Sequence, residues 1–321
     1  MVSSSAERST RGQCVIPELP EVETVARELR PWLTGRTVIG AERVDAPPGP
    51  KYAGLERLPG QRIEAVTRRG KFLVMPLRRL ELLEGTAASA PADELIVHLG
   101  MTGVVRATPP PGHLRVHLHL SGPEPRDLYF QDVRRFGRFM VVGVGDYAGL
   151  PTLAAMGPDA LDPDFTPESL RRALAISGAP IKTLLLSQRP VAGVGNIYAD
   201  EALWLARVHP ERPARRLTRS QVSALHAAIT DVLARSLLLQ GTTLNDYRTV
   251  NGEVGAFAAH LAVYGRAGEP CPRCGAAVVR TVVGQRATYA CSRCQTRPRS
   301  TSRSAPRRPG RGRPRLAPRA K

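Results

Sequence analysis

Two Pro-Glu pairs stand three residues apart near the start of the chain, Pro17-Glu18 and Pro20-Glu21, in the stretch PELPEVETVARELRPWL. A proline at a chain terminus is a secondary amine. It titrates near ~8, below a lysine amine, so part of it is unprotonated at neutral pH. With an aldehyde it gives a cationic iminium directly, an electron sink that makes adjacent C–H bonds acidic. Glu18 beside it is placed to shuttle protons. The plainer use of the same residues is helix-start chemistry, which Pro and Glu suit equally well. A second chemistry lies in four cysteines. Cys271-x2-Cys274 and Cys291-x2-Cys294 have sixteen residues between the pairs. That spacing closes a tetrahedral zinc site with no open position, so the metal is structural. A third lies in VAGVGNIYADEAL, where Gly193 and Gly195 precede Asn196 at a helix start. Free N–H groups there can cradle an anion, and Asn196 can cap the helix or reach a phosphate. Lys182 upstream adds a cation or lies on a solvated helix face.

The elements that carry these residues follow from periodicity. After Pro20, Val22, Val25, Ala26, Leu29, Trp32 and Leu33 fall on one face of a helix. From Thr37 to about Val144, short alternating or apolar runs between turn residues predict a β-sandwich or barrel. Residues 84–93, EGTAASAPAD, read as an inserted loop, and 149–164 as a linker. TPESLRRALAIS opens on Thr166 as cap and Pro167 at the first helical position. Three more helical segments follow, up to a long one that starts at Thr218, and residues 242–262 read as irregular. The predicted class is α+β. Its domains are 17–148, 165–262 and a cysteine module at 263–297, with a leader at 1–16 and a disordered basic tail at 298–321.

The 321 residues carry a net charge of +18. From Gln295 to Lys321 there are ten basic residues and no acidic one, which leaves +8 on the rest. The body is therefore basic in its own right, which points to phosphates or another anionic partner. No apolar run is long enough for a membrane span, and the first sixteen residues lack the apolar region of a secretory signal.

Several motifs occur in one order: PELPEVETVARELRPWLTGRTV, RRGKFL, HLGMTG, RRFGR, IKTLLLSQRPVAGVGNIYADEAL, GTTLNDYRTVNGEVGAFAAHLAVYGRAGEPCPRCG and QRATYACSRCQ. Together they resemble the formamidopyrimidine-DNA glycosylase family, from Pro17 to Gln295. The resemblance implies an N-terminal β-sandwich with a long helix, a helix–two-turn–helix domain and a C-terminal zinc β-hairpin. It implies a glycosylase and lyase that removes 8-oxoguanine and formamidopyrimidines from double-stranded DNA, with one structural Zn2+. It also implies a monomer with no membrane role, in a bacterial cytoplasm on the nucleoid. Carried over, Pro17 is the nucleophile, Glu18 the proton donor to the sugar ring, and Glu21 a supporting carboxylate. Lys71, Asn196 and Arg286 match residues that grip phosphate around the lesion, and Lys182 is grouped with them. Met101, Arg134 and Phe136 match a wedge that fills the space left by a flipped base, with Arg135 beside them. His98 either bonds phosphate or is simply packed. Residues near 242–256 correspond to a loop that covers the lesion.

Two departures remain. Pro17 follows Ile16, and a proline nitrogen inside a peptide bond cannot form an iminium. The expectation is a true start at Ile16 or close to it; cleavage of the leader, or a protein that binds DNA without this chemistry, are the alternatives. The tail contains Arg311-Gly312-Arg313-Pro314, which resembles a minor-groove hook or is a non-specific basic tail. An endonuclease VIII-like glycosylase for oxidised pyrimidines is the nearest rival enzyme.

Overall fold

The computed structural model describes residues 16–79, 91–243 and 249–297. The leader, most of the 84–93 insertion, the middle of the 242–256 loop and the basic tail lie outside the described residues. Asp93, where the insertion meets the run DELIVHLGMTGVVRA, opens a strand as that run predicts.

Helix α1 (Leu19–Leu33) begins where the sequence predicts. Its apolar stripe of Val22, Val25, Ala26, Leu29 and Leu33 is buried against two antiparallel sheets. The strands are β1 (Val38–Arg43), β2 (Gln61–Ile63), β3 (Thr67–Arg69), β4 (Phe72–Arg79), β5 (Asp93–His98), β6 (Gly103–Arg106), β7 (Leu114–Leu120), β8 (Asp127–Asp132) and β9 (Arg138–Gly143). One sheet has the order β1-β7-β8-β6 and the other β2-β4-β5-β9, with β3 on β4. Val116, Leu118 and Phe130 of the first face Leu73, Leu95 and Phe139 of the second in one apolar layer, a β-sandwich. Phe72, Val74, Ile96 and Met140 face outward from the second sheet and are covered by Leu150, Leu153, Met156 and Ala192. This is why FLVMPL runs apolar instead of alternating.

The linker is no free spacer. It contains α2 (Pro151–Ala154), and Asp159 makes two bonds to the Arg68 guanidinium, which also reaches Glu23 on α1. Helices α3 (Pro167–Ala175), α4 (Ile181–Leu186), α5 (Asn196–Leu205) and α6 (Arg219–Leu238) follow, and Thr166 and Thr218 cap α3 and α6 as N-cap side chains. Strands β10 (Val278–Val283) and β11 (Arg286–Cys291) form a hairpin. Gly284 and Gln285 at its tip have φ of 56° and 62°, as the tight two-residue turn requires. The hairpin and the helices share one core: Tyr264, Cys271, Val278 and Tyr289 pack with Ile197, Leu203 and Val222, and Leu19 enters it from α1. Among the described residues, no helix is long and apolar enough to cross a membrane.

Candidate active site

Glu18 is where the two halves of the molecule meet. It is only 2 % exposed. Its carboxylate accepts the backbone N–H groups of Gly195 (2.6 Å), Ile197 (2.8 Å) and Tyr198 (3.3 Å), at the N-terminus of α5. The glycine turn is thus an anion cradle, as its sequence suggests, but the anion it holds is an internal carboxylate rather than a phosphate. The glycines are there for close approach. A Cβ on Gly195 would lie 2.3 Å from the Glu18 carboxyl carbon, and one on Gly193 would lie 2.5 Å from the Leu19 side chain.

Burial pushes the Glu18 carboxyl up to about 7. The Lys71 charge opposes that rise, Glu21 adds to it, and the amides of Ile197 and Tyr198 oppose it. An acid poised near neutral pH is what proton exchange with a substrate needs. Glu21, fully buried one turn along α1, accepts from the Glu18 N–H (2.8 Å), the Tyr198 hydroxyl (2.5 Å) and the Thr242 N–H (2.6 Å). Burial raises its carboxyl too. The Tyr198 hydroxyl also meets Ser236 (2.6 Å) and Thr242 (2.9 Å).

Lys71, in the turn between β3 and β4, is half-buried. Burial lowers its amine, the Glu18 and Glu21 charges raise it, and Arg286 at the hairpin tip lowers it. One small region therefore holds Glu18, Glu21, Lys71 and the field of Arg286. His98, at the end of β5, stacks obliquely on Phe72 and accepts the Gly100 N–H on Nδ1 (3.1 Å). Its proton therefore sits on Nε2, free to donate. Burial first, then Lys71 and Arg138, lower it to about 4, so it is neutral at physiological pH. Pro17 is buried at the mouth of α1, with its nitrogen in the bond to Ile16.

The two loops that carry Met101 and Phe136 are packed back to back. Asp132, fully buried, accepts the Thr102 hydroxyl (2.6 Å) and the Gly137 N–H (2.7 Å), and Thr102 accepts the Arg134 N–H (3.0 Å). A Cβ on Gly100 would meet the Gly137 nitrogen at 2.5 Å, so only glycine lets the loops touch. This brings half-buried Met101 beside exposed Arg134, Arg135 and Phe136. Phe136 is 48 % exposed, with the Arg134 guanidinium 4.9 Å from its ring centre. Core packing is thereby excluded for Phe136.

Lys182 corrects the sequence reading. It is completely buried and its amine is already used: it donates to Asp200 (2.7 Å), the Ala287 carbonyl (2.8 Å) and the Thr288 hydroxyl (2.9 Å). A lysine so enclosed docks the hairpin on the helices and does not reach a phosphate. Burial lifts the Asp200 carboxyl to about 7 against the pull of Lys182. Asn196 is the first residue of α5, with Gly195 as cap, and its side-chain NH2 donates to the Ala287 carbonyl (3.1 Å). Both residues hold the strand that begins with exposed Arg286. Tyr198 escaped the sequence reading, because its partner Glu21 lies 177 positions away along the chain, and so did Asp132, which meets Thr102 from 30 positions away.

The four cysteine sulfurs lie within 4.8 Å of one another, with Cys271–Cys294 at 3.9 Å and Cys274–Cys291 at 3.5 Å. Zinc–sulfur bonds of about 2.3 Å place tetrahedral sulfurs about 3.8 Å apart, so the donors present fit Zn2+. The Trp204 indole N–H donates to Cys271 Sγ (3.3 Å), as an outer partner of a metal-bound thiolate does.

Family models match three consecutive regions. The formamidopyrimidine-DNA glycosylase N-terminal domain covers residues 16–139, the formamidopyrimidine-DNA glycosylase H2TH domain covers 156–248, and a zinc finger found in FPG and IleRS covers 268–297. A formamidopyrimidine-DNA glycosylase of Deinococcus radiodurans is 47 % identical over 297 residues, spanning 90 % of this chain and 100 % of the relative. The crystal structure of the MutM (Fpg) protein of Thermus thermophilus superposes with a TM-score of 0.77 at 47 % identity, over 87 % of this chain and 98 % of that one. A complex of the Lactococcus lactis Fpg with DNA containing an abasic site superposes at 0.73 with 33 % identity, over 87 % and 100 %. Fold, buried acid and zinc hairpin define a DNA glycosylase with one structural Zn2+. The chain belongs to the formamidopyrimidine-DNA glycosylase family.

Proposed function

We propose that this glycosylase excises oxidised purines, 8-oxoguanine and formamidopyrimidines, from double-stranded DNA, and cleaves the resulting abasic site through the amine of Pro17. The base leaves the stack, and Met101, Arg134 and Phe136 fill the hole, with Arg135 alongside. The Pro17 nitrogen attacks C1′ as the glycosidic bond breaks, and the proton it loses leaves with the base. Glu18, in its protonated form, which about half of it adopts near neutral pH, gives its proton to the sugar-ring oxygen as the C1′–O bond opens, and the open sugar is left as an iminium on Pro17. The iminium acidifies the C2′ proton, and elimination releases the flanking phosphates in turn. Glu21, fixed by the Tyr198 hydroxyl, holds the Glu18 backbone N–H, Lys71 and Arg286 neutralise phosphate, and His98 donates through Nε2. Zn2+ supplies no chemistry; Cys271, Cys274, Cys291 and Cys294 would hold it to fix the hairpin that presents Arg286.

The observation that carries this reading is Glu18: a buried carboxyl raised to about 7, next to Pro17 and within the field of Lys71. The chemistry requires the Ile16–Pro17 bond to be absent from the active protein. While it is intact, the same scaffold is a DNA binder without lyase activity. A duplex with 8-oxoguanine and one with thymine glycol, each incubated with the protein and borohydride, test the reading. A faster covalent adduct with 8-oxoguanine supports it; a preference for thymine glycol would establish the pyrimidine specificity instead. The protein works as a monomer, since one flipped base needs one site; sedimentation on a single-lesion duplex at one-to-one stoichiometry checks this.

A further inference from the structure

The loop that carries Phe136 is supported from a distant part of the chain. Val133, Arg134, Arg135 and Phe136 are four consecutive exposed residues, so burial does not hold their turn. Arg135 stands at φ 56°, a left-handed conformation that few residues other than glycine adopt and that surrounding bonds must stabilise. Three bonds fix the ends of the turn. The Arg115 guanidinium donates to the Asp132 carbonyl (2.8 Å), the Arg134 N–H to Thr102, and the Gly137 N–H to the Asp132 carboxylate. The apex is held by Lys51. Its ammonium donates to the Arg135 carbonyl (2.6 Å), 84 positions away, and lies 5.9 Å from the centre of the Phe136 ring. That carbonyl belongs to the planar peptide that joins Arg135 to Phe136, so the bond sets the direction in which the ring leaves the backbone.

Lys51 projects from a rigid base. It lies in a short 3-10 turn, Pro50–Tyr52, that follows Pro47, Pro48 and Gly49. Tyr52 is 3 % exposed and packs in the core of the β-sandwich. The Ala53 carbonyl accepts the Val141 N–H of β9 (2.9 Å), and a Cβ on Gly54 would lie 2.7 Å from the Val141 carbonyl oxygen. This base and the Arg134–Phe136 turn enclose an open cavity of about 440 Å³, lined by Pro47, Pro48, Pro50 and Phe136. Lys51 lines it as well, so its stem crosses a gap instead of a packed contact.

We propose that Lys51 is a positioning residue: its bond to the Arg135 carbonyl is a strut that holds Phe136 in the pose from which the ring enters the base stack. This rests on the reading of Phe136 as a wedge in the preceding section. Methionine keeps the length of the stem and loses the donor, whereas arginine keeps both donors and charge.

The test compares Lys51→Met and Lys51→Arg in the full chain. Amide exchange at Arg134 and Gly137 in the free protein reports the strut without DNA or activity. It should quicken about tenfold in Lys51→Met and return toward wild type in Lys51→Arg. A 2-aminopurine base placed beside 8-oxoguanine in a duplex brightens when its stack opens, and so reports entry of the ring. The rate of brightening, and of single-turnover excision at saturating protein, should fall about fivefold in Lys51→Met, and arginine should restore most of the loss. In a Phe136→Ala background the methionine substitution should change excision by less than about twofold, because the ring it positions is gone. Binding to an undamaged duplex separates this role from a direct phosphate contact. Its salt dependence should match wild type, whereas loss of a phosphate-bound lysine would lower the log–log slope by about 1. Unchanged exchange in Lys51→Met overturns the strut. A lowered salt slope, unchanged rates, or an equal rate loss with and without Phe136 overturns the positioning role. If wild type brightens the probe but excises nothing, the catalytic reading alone fails. If it does not brighten the probe, the wedge reading fails and the positioning role with it, and the exchange data still decide whether the strut exists.

Discussion

Gly195→Ala isolates the seat of Glu18. Gly195 has φ of −120°, a value any residue adopts, so alanine brings no backbone strain of its own. The whole effect is steric. The new Cβ would lie 2.3 Å from the Glu18 carboxyl carbon, 2.5 Å from Oε1 and 2.6 Å from Cγ, where ordinary contacts begin at 3.4 Å. The carboxyl must therefore move by about 1 Å, and a catalytic group misplaced by that much costs about a hundredfold in rate. The displaced carboxylate also loses the geometry of its bonds to Gly195, Ile197 and Tyr198. Overpacking alone costs about 1–3 kcal/mol, and weakened bonds to a charged group add to it, so urea unfolding should show a loss of about 2–4 kcal/mol. Single-turnover excision under conditions where the variant is fully folded gives the rate. Shortening the acid in the double variant Gly195→Ala/Glu18→Asp should relieve the clash, so the two stability losses should fall short of additive. An alanine variant that keeps its rate within about twofold of wild type would refute the placement of Glu18 in the α5 cradle.

Phe136→Ala should slow excision about tenfold if the ring is the proposed wedge, and leave stability within about 0.5 kcal/mol because the ring is exposed; a melt and a single-turnover assay check both. Cys291→Ser, or removal of metal by a strong chelator, should cost most DNA affinity, read by fluorescence anisotropy, since the strand bearing Arg286 loses its anchor. His98 is held near 4 against an ordinary value of 6.5, so the unfolded chain binds its proton more tightly. Its contribution is full above pH 6.5 and is lost as pH falls toward 4. His98→Gln should therefore lose less stability than wild type between pH 7 and pH 5 in paired urea titrations. Lys182→Met, which strands buried Asp200 beside the hairpin, should destabilise by about 3–5 kcal/mol. Lys182→Met/Asp200→Leu should recover much of that, which a phosphate-contacting lysine would not do.

What the chain discloses in sequence is what it builds locally. The cysteine knuckles, the start of α1, the Thr166 and Thr218 caps and the apolar runs of the sandwich each depend on neighbours a few residues away. The motifs of the family resemblance also single out Met101 and Phe136, which sit in HLGMTG and RRFGR, as the proposed wedge. Partnerships across the two halves are of another kind. The glycine turn before Asn196 reads as an anion site, which is correct in physics, but its anion arrives from 177 positions away. Lys182 reads as a surface cation because helical spacing says nothing about a hairpin packing over it, and the structure shows it sealed on Asp200. Tyr198 sits in an apolar run, and only the fold brings Glu21, Ser236 and Thr242 to its hydroxyl. The segment 149–164 likewise reads as a domain linker, and only the fold shows that Asp159 ties it to Arg68.

The central claim is that a free Pro17 amine, assisted by Glu18, bonds covalently to DNA. The most direct measurement is borohydride trapping on an 8-oxoguanine duplex with two proteins, one beginning at Pro17 and one keeping the Ile16–Pro17 bond, followed by peptide mapping of the adduct. We predict an adduct mapped to Pro17 in the first and none in the second. An adduct on Lys71, or equal trapping by both proteins, would contradict it.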